Sequence, residues 1–501
     1  MLLERIFDED LAQAGYVIGC QAKSEMMVID ARRDIQEYLD LAAKHGMTIT
    51  HVTETHIHAD YLSGTRELAA ATGATIHVSV EGGQDWQYGF EAERLHDGDE
   101  IRLGNITVRA VHTPGHTPEH LMFLVTDGAF ADEPGYAITG DFVFSGDLGR
   151  PDLLDEAAGG VNTRFVGAEQ LFESLKRSFL TLPDHVQVLP GHGAGSACGK
   201  ALGSLPGTTV GYERRYAWWA KHLENDDKQG FIDELLDGQP DAHAYFARMK
   251  RQNKLGPEVM GEAGPSAQRA GEKPASELHE FTAPELTEQV EKGEVTVVDT
   301  RMPAEVHTGT VPGALNIPVA TGKIANYGAW VVDPEREYAP LVVLADDEAA
   351  ARDIWSHLVR VGIDKVTGFI PNFEGMALKN PETVPVDGLD DYDRAVLLDV
   401  RQVSEHKAGA IPGARQLSGG KVLWNLEELP RDGRIVLHCQ SGMRASVVAS
   451  ALRHEGFDVT ELEGSYNAWV GAGRETVTPS ADLGKGDSMT DSPLSDPATE
   501  N

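Results

Sequence analysis

Thr55-His56-Ile57-His58-Ala59-Asp60-Tyr61 follows a β-branched run at residues 48–52 and precedes a stretch of helical spacing, residues 61–71, that stops at Gly73. The segment is therefore predicted to be a strand-to-helix loop, where side chains can converge without breaking a sheet. Upstream, short strands are predicted at residues 17–18 and 26–29. A helix over 34–45 should bury Ile35, Tyr38, Leu39 and Ala42 and stop at Gly46. Downstream the pattern recurs. Residues 106–111 enter Thr113-Pro114-Gly115-His116, residues 137–139 enter Gly140-Asp141, and residues 186–189 enter Pro190-Gly191-His192-Gly193. Each strand ends in a Gly or Pro turn presenting one His or Asp. His56 and His58, one residue apart, face the same side of an extended chain, with Asp60 two further on. Together with His116, Asp141 and His192 they make six N/O ligands, of the kind divalent metals favour, that could meet at one point.

This ordered series resembles the metallo-β-lactamase superfamily, whose pattern is HxHxDH followed by His, Asp and His. The resemblance covers about the first 250 residues and implies an αββα sandwich. Tyr61 stands where the family has the last histidine of the first motif, a ligand of the second metal in binuclear members, so a single metal is expected. Within the superfamily the chain looks most like the persulfide dioxygenases. That likeness implies one mononuclear non-haem Fe(II) on His56, His116 and Asp141, with zinc as the alternative. Three protein ligands leave open positions for O2 and a persulfide sulfur. His58, Asp60 and His192 then either orient ligands or water behind the metal, serve as alternative metal ligands, or only make structural hydrogen bonds. Cys198, in Gly195-Ser196-Ala197-Cys198-Gly199-Lys200, could have a lowered pKa beside the lysine and carry sulfur, or could be a small residue packed under the loop.

The second half contains a duplication. Val297-Val298-Asp299-Thr300-Arg301 and Val311-Pro312-Gly313-Ala314 recur one hundred residues later as Leu397-Leu398-Asp399-Val400-Arg401 and Ile411-Pro412-Gly413-Ala414. Each copy then has an apolar strand, at 341–344 and 435–437, leading into a helix, which predicts two small α/β domains with mostly parallel sheets. In the later copy His438-Cys439-Gln440-Ser441-Gly442-Met443-Arg444 joins strand to helix. A thiolate at a helix N-terminus is stabilised by unpaired N–H groups and the dipole, Gly442 permits unusual backbone angles, and Arg444 can close the loop or meet an anion. The Cys-x-x-x-x-Arg spacing resembles the rhodanese sulfurtransferases. The earlier copy has Ala345-Asp346-Asp347-Glu348 at that place, without a nucleophile, so it resembles a rhodanese domain used for docking or spacing.

Composition bounds the rest. At 501 residues with 41% hydrophobic content, about three domains are expected. The predicted organisation is a metallo-β-lactamase-type domain over 1–255, a linker over 256–276 rich in Gly, Pro, Glu, Ala and Ser, an inactive rhodanese-like domain over 277–385, an active one over 386–478, and a disordered tail over 479–501. A net charge of −36 repels nucleic acid and anionic membranes, so neither is an expected partner. Three cysteines, Cys20, Cys198 and Cys439, give no disulfide framework. The absence of a signal-like N-terminus and of long apolar runs points to the cytoplasm. A homo-oligomer, dimer or tetramer, is expected.

As a whole the chain resembles the bacterial persulfide dioxygenase–sulfurtransferase fusions of the CstB type. The resemblance implies that a low-molecular-weight thiol persulfide is oxidised by O2 to sulfite, and that Cys439 passes sulfur to sulfite to give thiosulfate, a sulfide-detoxifying sequence. Two rivals remain at this stage. One is a glyoxalase-II-like zinc thioester hydrolase fused to a rhodanese. The other is a sulfur carrier in which only Cys439 acts.

Overall fold

The computed structural model describes residues 1–156, 163–267, 269–392 and 395–479. The predicted tail beyond 479 lies outside the described residues.

The first domain is built on two six-stranded sheets. One runs in sequence order through β1 (Leu2–Asp8), β2 (Gln13–Cys20), β3 (Glu25–Ile29), β4 (Thr48–Thr53), β5 (Thr75–Ser79) and β6 (Glu93–Leu95). The other comprises β7 (Glu100–Leu103), β8 (Ile106–His112), β9 (Leu121–Asp127), β10 (Tyr136–Gly140), β11 (Gln187–Pro190) and β12 (Thr208–Thr209), in the order β12-β11-β10-β9-β8-β7. Strand periodicity explains the layering. Tyr16, Ile18, Met27 and Ile29 face inward to meet Ile106, Val108, Phe123 and Ile138 of the second sheet. The alternate residues Val17, Met26 and Val28 face outward and are covered by Ile35, Tyr38, Leu39 and Leu68. Those covering residues come from helix α1 (Gln36–His45), the turn before it and α2 (Thr65–Thr72). On the far side Met122 and Ala137 pack under Leu171 and Phe172 of α3 (Thr163–Ser174). Complete burial of each such side chain contributes about 1.5–3 kcal/mol. The result is the expected αββα sandwich.

Some boundaries differ from the sequence reading. Helix α2 begins at Thr65 rather than at residue 61. Residues 58–63 are held instead by α4 (Phe246–Leu255), whose Asn253 amide donates to the His58 and Tyr61 carbonyls at 2.8 and 2.7 Å and accepts from Ser63 N–H at 2.9 Å. The Gly/Pro-rich segment predicted as a linker is laid against the first domain. Met260 and Gly261 N–H donate to the Glu67 carboxylate at 2.7 and 2.8 Å, and Ala267 N–H donates to Gln36.

The duplicated region forms two five-stranded parallel sheets of the same order. The first is β13 (His279–Glu280), β14 (Thr296–Asp299), β15 (Leu315–Asn316), β16 (Leu341–Leu344) and β17 (Val366–Ile370), arranged β13-β17-β16-β14-β15. The second is β18 (Thr383–Val384), β19 (Val396–Asp399), β20 (Arg415–Gln416), β21 (Ile435–His438) and β22 (Val459–Leu462), arranged β18-β22-β21-β19-β20. Helices α5 (Ile324–Val331) and α6 (Glu348–Val359) belong to the first copy, and α7 (Val403–Ala408) and α8 (Met443–His454) to the second. The repeated Asp-x-Arg does the same work twice. Arg301 binds Asp299 at 2.6 Å and the Gly309 carbonyl at 2.8 Å, and Arg401 binds Asp399 and the Gly409 carbonyl at the same two distances.

The three domains share one apolar cluster, in which Tyr61, Tyr245 and Met249 meet Trp330, Leu358, Leu437 and Cys439. A buried ionic knot fastens the first repeat to the sandwich. Arg360 reaches Asp8 at 2.7 Å and Asp34 through two bonds of 2.9 and 2.7 Å, while its carbonyl accepts Leu62 N–H. Burial opposes ionisation of Asp8, yet Arg360 and Arg32 outweigh it and hold that carboxyl below its usual value of 3.8.

Candidate metal centre and sulfur-transfer loop

Strand ends of both sheets deliver the metal-type residues to one rim of the sandwich. The ligand atoms of His56, His116 and Asp141 lie within 4.8 Å of one another, as do those of Asp60, His192 and Cys198. Asp141 joins the two groups. Its Oδ2 is 3.9 Å from His56 Nε2 and 3.5 Å from His116 Nε2, and its Oδ1 is 3.5 Å from His192 Nε2. His192 Nε2 also lies 3.3 Å from Asp60 Oδ2. Gly140 is required beside this centre, because a Cβ there would stand 2.5 Å from Thr55 Oγ1.

Hydrogen bonds fix which nitrogens face the centre. His116 Nδ1 must donate to the Arg150 carbonyl at 3.0 Å, and His192 Nδ1 to the Ala12 carbonyl at 3.0 Å. Thr55 Oγ1 donates to Asp30 at 2.9 Å and so accepts from His56 Nδ1 at 3.0 Å. The Nε2 lone pairs of neutral His56 and His116 are therefore free for a ligand. Burial keeps both rings neutral, taking His116 down to about 3 and His56 well below its ordinary value. Asp141 is the complementary observation. Burial pushes its carboxyl up to about 6, and both of its oxygens are buried without a hydrogen-bond partner among the described residues. Two neutral imidazoles and an unsatisfied buried carboxylate form a donor set suited to a divalent metal.

The six predicted ligands do not all converge. His58 Nε2 is bound to Asp30 Oδ1 at 3.0 Å. Burial opposes its charge, but Asp30 prevails and raises the ring to about 9. An imidazolium so paired has no lone pair to offer at Nε2. Tyr61, in the position of the family's last histidine, packs against His58 with the rings tilted 43° and centroids 4.6 Å apart, and receives Gln13 Nε2 at 3.3 Å.

Of the two readings of Cys198, the small packed residue fits its burial and the lowered pKa does not. Burial, then Asp60 and Asp141, push its thiol well above the ordinary value rather than below it. Lys200 does not offset this, since its ammonium is engaged by the Glu234 and Asp237 carbonyls. A cavity of about 750 Å³ opens beside the centre, lined by Ile57, Trp86, Pro118, Val166, Lys250 and Lys254 among others. Burial lowers Lys250 to about 8, and its Nζ sits 3.8 Å from the Trp86 ring centroid.

The Cys439 loop is closed by its own backbone. Gly442, at φ 105°, begins α8 and donates its N–H to Cys439 Sγ at 3.2 Å, while Cys439 N–H donates to Ser465 Oγ at 3.2 Å. The Cys439 side chain is only 1% exposed. Arg444 forks onto Glu405 of α7 through two bonds of 2.7 and 2.8 Å. In the copy without cysteine the helix start is already occupied, because Asp347 accepts Ala350 N–H at 2.8 Å. Its own carboxylate sits where an anion would be cradled.

Asp30, Asn253 and Glu405 escaped the sequence reading. Only Glu405 carried a local signal, as the third residue after Gln402, with which it forms a capping box. Asp30 and Asn253 act on loops distant in the chain.

Family profiles agree with this layout. The metallo-beta-lactamase superfamily matches residues 19–192, and the rhodanese-like domain matches residues 282–370 and 386–472. A solved metallo-beta-lactamase from Staphylococcus aureus subsp. aureus COL is 36% identical, with a TM-score of 0.63, and the match covers 74% of this chain and 99% of that one. The chain belongs to the metallo-β-lactamase superfamily, with two rhodanese-like domains behind that fold. Among curated members, a persulfide dioxygenase of Bos taurus mitochondria is 26% identical over 200 residues, 38% of this chain and 68% of the relative. A hydroxyacylglutathione hydrolase of Rhodospirillum rubrum is 32% identical over 177 residues, 35% of this chain and 60% of the relative. The metal-binding fold of the superfamily, together with the rhodanese-like domains, indicates an enzyme. Among the described residues no helix is long and apolar enough to cross a membrane.

Proposed function

We propose that this metallo-β-lactamase superfamily protein is a persulfide dioxygenase fused to a sulfurtransferase. The observation that carries the reading is a two-histidine, one-carboxylate cluster without the usual second-metal histidine, in the same chain as a Cys439 loop at a helix start. His56, His116 and Asp141 would hold a single Fe(II), which would supply the redox chemistry that joins O2 to the terminal persulfide sulfur. Thr55, Arg150 and Ala12 keep the imidazoles oriented, and the Asp30–His58 pair braces the loop from behind. The cavity over Ile57 receives the thiol carrier, with Lys250 and Lys254 available to its anionic groups. In net terms a thiol persulfide, O2 and water give the thiol, sulfite and two protons. A second persulfide hands its outer sulfur to the Cys439 thiolate and leaves as thiol. Sulfite then attacks that outer sulfur, the S–S bond breaks, and thiosulfate leaves while the Cys439 thiolate is restored.

The likeness to a hydroxyacylglutathione hydrolase favours a second reading, a zinc thioester hydrolase. Cys439→Ser and His116→Ala test the proposal in parallel. With persulfide and O2, Cys439→Ser should accumulate sulfite in place of thiosulfate, and His116→Ala should stop O2 uptake. Undiminished thiosulfate from Cys439→Ser, or O2 uptake unaffected by His116→Ala, would contradict it.

A further inference from the structure

The copy without a nucleophile is not remote from the one that has it. Its helix α5 lies against α8, whose first turn carries Arg444, and against the helical turn Gly419–Val422. Trp330 of α5 is wedged so tightly there that a Cβ on Gly419 would stand 2.5 Å from its ring. One turn earlier on the same helix, Tyr327 packs edge-on to Trp330, with centroids 5.4 Å apart, against the cluster that contains Cys439, Ala445 and Val448. The Tyr327 hydroxyl is close enough to interact electrostatically with both the Arg444 guanidinium and the Cys439 thiol, and half-burial raises its pKa, so it stays a neutral donor.

The helix start is fixed from the first domain. The Asp10 carboxylate accepts the Ala325 N–H at 2.5 Å and the Asn326 N–H at 3.4 Å, while Lys323 Nζ donates to the Glu9 and Asp10 carbonyls at 2.8 and 2.7 Å. Asp10 sits two residues before Ala12, whose carbonyl orients His192. The position of α5, and of Tyr327 on it, is thus set from both ends. Arg444, for its part, is already forked onto Glu405, so a hydroxyl from the neighbouring copy would add a donor to the backbone N–H groups of the loop.

We infer that Tyr327, supplied by the rhodanese-like copy that lacks a cysteine, completes the sulfur-transfer site by donating its hydroxyl hydrogen to the anion held at the Cys439 loop. This rests on the reading of Cys439 as the transfer nucleophile. With thiosulfate as donor, the Cys439 thiolate takes the outer sulfur, the S–S bond breaks, and sulfite leaves with the electron pair. Cyanide then removes that sulfur as thiocyanate and restores the thiolate.

The test uses the full-length chain with thiosulfate and cyanide as probes and thiocyanate as readout. Loss of a hydrogen bond to an anion should raise the thiosulfate KM of Tyr327→Phe about tenfold or more, with kcat at saturating thiosulfate and the melting temperature little changed. Should the Phe variant fail to fold, Tyr327→Met removes the same hydroxyl. A wild-type KM in the variant overturns the inference, and so does a fall in kcat and melting temperature at unchanged KM, which would mark Tyr327 as packing only. Absence of thiocyanate from the wild-type chain overturns the reading of Cys439 and this inference with it. A working wild type beside an indifferent Tyr327→Phe overturns this inference alone.

Discussion

Asp141 carries two buried oxygens that have no hydrogen-bond partner among the described residues. Leaving a carboxylate so placed costs several kcal/mol unless a cation takes it, which is why this residue more than the histidines argues for a metal. Asp30 matters nearly as much without facing the centre. It accepts Thr55 N–H at 2.7 Å, Thr55 Oγ1 at 2.9 Å and His58 at 3.0 Å, and so fixes the first half of the first motif. Replacing it with Asn should leave the fold intact and lower metal affinity about 10- to 100-fold, the usual cost of losing a partner behind a ligand, read by metal titration of the apo chain. Unchanged affinity would show that the loop holds itself. The contrast explains what the sequence could tell. His56, His116 and Asp141 each follow a strand into a tight turn and stand out locally. Asp30 acts on residues 25 and 28 positions away, so no local spacing points to its role.

Among the elements, the two copies of the rhodanese-like unit differ mainly at a single helix start. Their sheets share order, their Asp-x-Arg pairs share distances, and these features were legible in the hundred-residue repeat. Asp347 caps α6 where Gly442 opens α8 to the Cys439 sulfur. At Gly442 a Cβ would meet nothing within 4 Å, but the backbone stands at φ 105°. Gly442→Ala therefore introduces backbone strain without a clash, of about 1–3 kcal/mol. The account predicts a lower melting temperature and slowed sulfur transfer, with O2 uptake unaltered. A variant as active as the parent in thiocyanate formation would mean the loop tolerates another conformation. The close packing of the predicted linker on α1 and α2 was not legible, because its Gly- and Pro-rich composition reports backbone freedom and not the Glu67 and Gln36 side chains that hold it.

Over the whole molecule, three domains act as one body through the shared apolar cluster and the Arg360 knot. Arg360 is buried between Asp8 and Asp34, so Arg360→Ala leaves those two carboxylates to Arg32 alone, at 3.6 and 3.8 Å, and should destabilise the docked chain by up to about 3 kcal/mol, seen as a lower melting temperature. The acid limit follows from the same group. Because the folded-state value of Asp8 is depressed below 3.8, its contribution is present above that value and lost as pH falls through the lowered one. The wild-type melting temperature should drop steeply below about pH 4, and Arg360→Ala should lose part of that dependence. Parallel acid profiles of the two proteins would contradict this assignment.

One measurement bears on the oxidation–transfer reading more directly than any variant: the metal content of anaerobically prepared full-length chain, taken together with O2 consumed per thiol persulfide added. The account predicts about one iron per chain and about one O2 for every two persulfides consumed, the second persulfide supplying the sulfur that Cys439 passes to sulfite. Zinc in that site, thioester cleavage and no O2 uptake would contradict it.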